Sequence, residues 1–177
     1  MIPERFRPDC DACCGLCCVA NAFDSIQGFG YNKPARTPCL HLQTDFRCSI
    51  HEVLAEKGFP GCVSFDCFGA GQWVTQRLFH GAVWSNSSRI APRMFRSFSR
   101  IMVIHELLVL LLIAKQHVTD PDTVARLDKK QRELEVLCEA ETQESSGTEI
   151  STVKQETMDL IRELGTSTEI INLTKKS

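Results

Sequence analysis

The stretch CDACCGLCC, residues 10 to 18, places five cysteines in nine positions. Five more follow singly: Cys39, Cys48, Cys62, Cys67 and Cys138. Cysteine sulfur binds soft and borderline metals, pairs as disulfides, or acts as a nucleophile. Spacing separates these chemistries. C-x-x-C alone says little, but C-x-x-C-x-x-x-C-C followed by four more cysteines points to metal ligation. Neighbouring cysteines pair poorly with each other. Four thiolates in a tetrahedral set suit zinc or an iron–sulfur cluster. Eight such ligands suffice for two sites or one large one.

On a helix, about 100° per residue would bring all five cysteines of 10–18 into an arc of about 140°. The stretch is therefore expected to form one sulfur-lined helical face. Cys17 and Cys18 diverge by about 100° on that face, so as neighbours they suit two sites or different irons of one cluster.

The elements that must position these sulfurs fall into three zones. Residues 1–72 hold nine of the ten cysteines with frequent Gly and Pro, and read as a loop-rich metal-binding region. Residues 73–141 read as a helical region packing on it. Residues 142–177 read as a linker, a helix and a frayed tail. A helix is expected from about Pro92 to Lys115, apolar nearly all round in its second half and so a buried spine. Asp120 followed by Pro121 gives the next helix a cap and a proline at its first position. Val124, Leu127, Leu134, Leu137 and Cys138 share one of its faces. Thr152 and Gln155 suggest a capping box, and Val153, Leu160, Ile161 and Leu164 form a stripe after it. The expected fold is mainly α: a loop-rich, metal-stabilised cysteine cluster against a small helical bundle.

At 177 residues with net charge −2, the chain suits one core with an appendage and has no overall electrostatic preference. The charge is uneven. Residues 71–118 carry six basic and one acidic side chain, and residues 119–177 eight and thirteen. The middle segment could meet an anionic partner or the acidic end of its own chain, and the second reading is favoured. Arg89, Arg93, Arg96 and Arg100 follow helical spacing among aromatic residues. They define a nucleic-acid or acidic-protein interface as one alternative and a solvated, salt-bridged face as the plainer one. The start MIPERFRPDC is charged and does not read as a secretory leader. The apolar run Ile101–Ala114 contains His105 and Glu106 and is expected to fall short of the ~20 apolar residues that span a bilayer. A cytoplasmic location follows, where stable disulfides are disfavoured.

His41 and His51 lie among the cysteines as outside candidates for ligation, with structural histidines the favoured reading. His105 reads as a satisfied core histidine. The glycine-rich FGAGQ, residues 68–72, reads as a tight turn letting backbone approach the sulfurs. It lacks the residues of a P-loop.

Cys10-x2-Cys13-x3-Cys17-Cys18, with Cys39, Cys48, Cys62 and Cys67 downstream, resembles the bacterial family described as putative zinc- or iron-chelating cysteine-cluster proteins, marked by CxxCxxxCC within a set of eight cysteines. The strings NKPARTPC (32–39), DFRC (45–48) and DCFGAGQ (66–72) are similar to the cysteine-rich N-terminal region of actinobacterial pentapeptide-repeat proteins, although this chain has no run of such repeats. The resemblance covers about residues 9–78. It implies that Cys10, Cys13, Cys17, Cys18, Cys39, Cys48, Cys62 and Cys67 are the metal ligands, and leaves Cys14 and Cys138 outside. The expected function is metal binding, as an iron–sulfur cluster or zinc, in electron transfer or sensing. A cluster-dependent oxidoreductase or modifying enzyme and a regulatory interaction module are the alternatives. No substrate pocket or catalytic pair stands out.

Overall fold

The computed structural model describes residues 2–141 and 149–163. The expectations for a linker at 142–148, for Leu164 and for the C-terminal tail lie outside these residues. The architecture is mainly helical, and the described residues contain no strand, only isolated antiparallel pairs of Phe23 with Lys33 and Leu42 with Cys48.

Three helices build the core. Helix α4, Ile90–Lys115, is the spine. Helix α5, Pro121–Ala140, and helix α6, Ile150–Glu163, pack on it. Phe98, Ile101, Leu107 and Leu111 of α4 are completely buried, as are Leu127 and Leu134 of α5. Each such side chain stabilises the fold by about 1.5–3 kcal/mol. The α5 start forms as expected, with the Asp120 carboxylate accepting from the Thr123 N–H at 2.9 Å. Helix α6 differs from expectation. It begins at Ile150, so Thr152 lies inside the first turn and caps nothing, and Gln155 turns to Asp159 at 2.9 Å instead. Val153, Thr157 and Ile161 form its buried stripe.

Helix α4 is longer than the apolar run that suggested it. By length and composition alone it could cross a membrane, with mean hydropathy 1.9 over an 18-residue window, contrary to the sequence expectation. In this fold 61% of that window is buried against the rest of the chain.

The basic middle segment meets the acidic end of the same chain. Arg100 donates to Glu141 at 2.8 Å, and that carboxylate is only 4% exposed. Arg77 faces Glu139, Lys115 pairs with Asp128, and Arg5 reaches Glu135 at 2.6 Å.

Ahead of α4 the chain is mostly turns, with the short helices α1, Leu16–Ala20, α2, Pro60–Ser64, and α3, Ala70–Gln72. A π-helical turn, Trp73–Leu78, follows α3 directly. Residues 21–59 gather around a small ring cluster: Phe23 stacks on Phe29 at 5.0 Å, and Phe59 meets Tyr31 and His41 edge-on at 6.0 and 5.3 Å.

Candidate metal centre

The quoted stretch is not one helix. Gly15 holds φ at +68°, a left-handed conformation that ends the preceding turn and starts α1. Cys10, Cys13 and Cys14 therefore arrive on turns, and only Cys17 and Cys18 are helical. The expected sulfur-lined helical face is replaced by a split. Cys14 points into the core and is 1% exposed. Its sulfur lies 3.4 Å from Thr75 Oγ1 and 3.5 Å from Met94 Sδ, and its carbonyl accepts from the Trp84 indole N–H at 2.9 Å. Cys138 is buried on α5. These are the two cysteines that the resemblance leaves out.

Two lacings bring the other eight together. The first joins residues 5–14 to residues 67–76. Gln72 donates to the Arg7 carbonyl at 2.7 Å and accepts from the Asp9 N–H at 3.2 Å. Gln76 donates to the Ala12 carbonyl at 2.8 Å, and Thr75 Oγ1 accepts from the Cys14 N–H at 3.3 Å. Gly71 approaches so closely that a Cβ there would lie 2.6 Å from the Cys13 sulfur. Only glycine fits between this helical turn and that thiol. Cys10, Cys13 and Cys67 are thereby neighbours, and Cys17 of α1 joins them.

The second lacing runs through residues 18–62. Cys39 N–H donates to the Cys18 carbonyl at 2.9 Å, and Phe23 and Lys33 exchange backbone bonds farther along the same ribbon. Ser49 N–H donates to the His41 carbonyl at 2.8 Å, folding 39–49 back as a hairpin. Gly61 N–H donates to the Gly28 carbonyl at 2.8 Å, which docks α2 and Cys62. Cys18, Cys39, Cys48 and Cys62 are neighbours in this part.

A local pattern recurs at the sulfurs. The N–H groups of Gly15 and Leu16 aim at Cys13, that of Ile50 at Cys48, and those of Gly69 and Gly71 at Cys67. His41 N–H lies 3.4 Å from the Cys39 sulfur. In each case the residue two places after the cysteine supplies a donor. FGAGQ thus acts as the expected tight turn. Thiol sulfur is a weak acceptor, so such donors suit thiolates.

The electrostatics follow from burial. Desolvation lifts Cys13 to about 12 and Cys62 to about 11, and raises Cys10, Cys48 and Cys67. Cys17 is raised because its thiol hydrogen-bonds Cys18, 3.7 Å away, and because it is buried. Cys18, the acceptor in that pair, is held below the ordinary thiol range, with the Lys33 ammonium contributing. Lys33 is only 4% exposed. Its Nζ donates to the carbonyls of Asn21, Pro34 and Thr37, and no carboxylate among the described residues pairs with it. The sulfurs of Cys39, Cys18 and Cys17 are the groups that would act on its charge as thiolates.

The eight sulfurs share a region but are not closed around a point. Among the described residues no three His, Cys, Asp or Glu side chains are set to hold one metal ion. The donor chemistry fits a thiophilic metal; the spacing requires the sulfurs to draw together on binding. His51 is exposed, its Nδ1 3.5 Å from Glu52, and His41 packs its ring on Phe59. His105 is a buried core residue as expected. Its Nδ1 lies 2.7 Å from the Phe68 carbonyl, which accepts its proton, and burial lowers its pKa to about 4. It thereby anchors the turn after Cys67, where Phe68 has φ +48°. Among the four arginines, Arg100 is committed to Glu141, while Arg89 and Arg96 are exposed.

Sequence reasoning missed Lys33, Gln72, Thr75 and Gln76. The glutamines stand four apart just after Cys67, a spacing that places both on one helical face. Lys33 lies inside the quoted NKPARTPC string. Its burial had no local signal.

No family model matches the chain, and no solved structure does. The chain is 46% identical over 100 residues, 56% of its length, to a Bacillus subtilis (strain 168) protein described as "Uncharacterized protein YybG", and covers 36% of that protein. It is 44% identical over 43 residues, 24% of its length, to the "UPF0153 protein YeiW" of Escherichia coli (strain K12), and covers 51% of it. The chain thus spans about a third and about half of these curated relatives.

Proposed function

We propose that this is a metal-binding protein in which Cys10, Cys13, Cys17, Cys18, Cys39, Cys48, Cys62 and Cys67 hold zinc or an iron–sulfur cluster. The observation that carries this reading is the division of the cysteines. Eight gather in the turn-rich region, Cys39 buried there and Cys13, Cys17 and Cys67 packed on the edge of the apolar core, with backbone N–H groups aimed at four of their sulfurs, while Cys14 and Cys138 are part of that core. The lobe around the eight has few buried apolar side chains, so ligation would supply the stability that a core supplies elsewhere.

Zinc would supply a structural clamp; an iron–sulfur cluster would supply one-electron chemistry for transfer or sensing. The N–H groups at Cys13, Cys39, Cys48 and Cys67 would stabilise thiolates in either case, and Lys33 would offset their charge. Membership of the cysteine-cluster family and a reducing, cytoplasmic setting belong to the same proposal. The test is metal and acid-labile sulfide analysis of protein purified without oxygen. Stoichiometric zinc in colourless protein identifies the clamp. Iron with sulfide and broad absorption near 400 nm identifies the cluster. Folded protein that takes up neither metal sinks the reading.

A further inference from the structure

We infer that the eight cysteines form two four-sulfur sites, Cys10, Cys13, Cys17 and Cys67 in one and Cys18, Cys39, Cys48 and Cys62 in the other, meeting at the adjacent pair on α1. The inference rests on the metal-binding reading and goes beyond it by fixing the number of sites and the membership of each.

The backbone makes the division. Most of what holds Cys10 and Cys13 comes from residues 67–76: the Gln72 and Gln76 side chains, Thr75 Oγ1, and the space that Gly71 leaves for the Cys13 sulfur. The backbone bonds that hold Cys39, Cys48 and Cys62 come from residues 18–61: the Cys18 carbonyl, the 39–49 hairpin and the Gly28–Gly61 bond. The two lacings meet at the Arg47–Asp11 ion pair and at the short helix α1. Its buried Leu16 and Val19, each 0% exposed, fix the orientation of the turn between them. Cys17 and Cys18 leave that turn about 100° apart. One joins Cys13 and Cys67, the other the hairpin side.

The two sets are also built alike. Each has two cysteines on turns with an N–H aimed back at the sulfur, Cys13 and Cys67 in one, Cys39 and Cys48 in the other. Each has one cysteine from α1 and one more, Cys10 or Cys62. Four thiolates complete a tetrahedral site for one borderline ion. The sets abut, since Cys10 lies within the influence of both Cys18 and Cys48 across the boundary, Arg47 pairs with Asp11, and the Cys17 and Cys18 sulfurs are 3.7 Å apart. The alternative is therefore one polynuclear site using all eight.

Cobalt(II) titration of the reduced, metal-free full chain under argon distinguishes them. Thiolate-to-cobalt absorption is expected to rise to an end point at two ions per chain. Cys13→Ser and Cys62→Ser lie at opposite ends of the assembly. Each is expected to halve the bound cobalt, and the double variant to lose both ions. One ion per wild-type chain overturns the inference and leaves metal binding standing. So do single variants that each lose all cobalt while keeping the far-UV signal of α4 and α5. A single iron–sulfur cluster in anaerobically isolated protein that both variants abolish does the same. No cobalt uptake at all sinks the metal reading with it. If a variant fails to fold, the wild-type end point still decides.

Discussion

The helical region and the cysteine region solve one problem by different means. From Ile90 to Ala140 the chain is held mainly by buried apolar side chains, Phe98, Ile101, Leu107 and Leu111 on α4 and Leu127 and Leu134 on α5. From Asn21 to Ser64 it is held by backbone bonds between turns and by one aromatic cluster around Phe59. Cysteine appears in both and behaves differently in each. Cys138 is a small apolar residue, its thiol pushed up to about 12 by burial. Cys18 stands beside a buried ammonium and accepts a hydrogen bond from its neighbour. Residue type therefore does not define the site; what faces the sulfur does.

On the metal-binding proposal, the sharpest way to break this comparison is to add a chelator. Structural zinc contributes about 10–16 kcal/mol in small metal-folded units. Chelation is expected to expose the amides of 21–64 to rapid hydrogen exchange while those of α4 and α5 stay protected. Melting of both regions together would show that they are not independent. Next in size, Phe98→Ala should cost about 3–5 kcal/mol in urea unfolding and leave metal content unchanged.

Acid should act through His105. Its pKa falls from 6.5 unfolded to about 4 folded, so the folded state resists protonation. Stability is full above pH 6.5 and is lost as pH falls toward 4, by about 3 kcal/mol at most. His105→Gln should flatten that part of the pH–stability curve; an unchanged slope would assign it to carboxylates. Cys14→Ser should cost about 1 kcal/mol, the low end for burying a hydroxyl, because Thr75 Oγ1 stands within reach as its partner, without altering metal stoichiometry. Reduced metal content would instead make Cys14 a ligand. The smallest effect belongs to Asp120→Ala, which removes an exposed cap and should lower Tm by a few degrees.

Much of the helical region was legible in the sequence because its signals are local. The apolar run marked α4, and Asp120-Pro121 marked the start of α5. Thr152 misled because the buried stripe Val153, Thr157 and Ile161 sets the helix earlier than its cap signal does. In the cysteine region, the family resemblance set Cys14 apart from the motif, but the single helix expected over 10–18 did not form. One glycine in a left-handed conformation redirects three cysteines, and a period of 3.6 cannot register that. Gln72 and Gln76 were invisible because each acts on a segment 60 or more residues away that only the folded chain brings near, and Lys33 because nothing in its own string marks its burial.

The two lacings also differ in how far apart along the chain their partners lie. Every residue of the hairpin side is present once Cys62 has been made. The other set joins Cys10 and Cys13 to residues near 70, and the N-terminal arm is tied further by Arg5 to Glu135. Long loops close more slowly than short ones. If each set takes an ion as proposed, assembly is ordered in time: during synthesis the Cys18 side would capture its ion first, and the Cys10 side would wait for the chain to return.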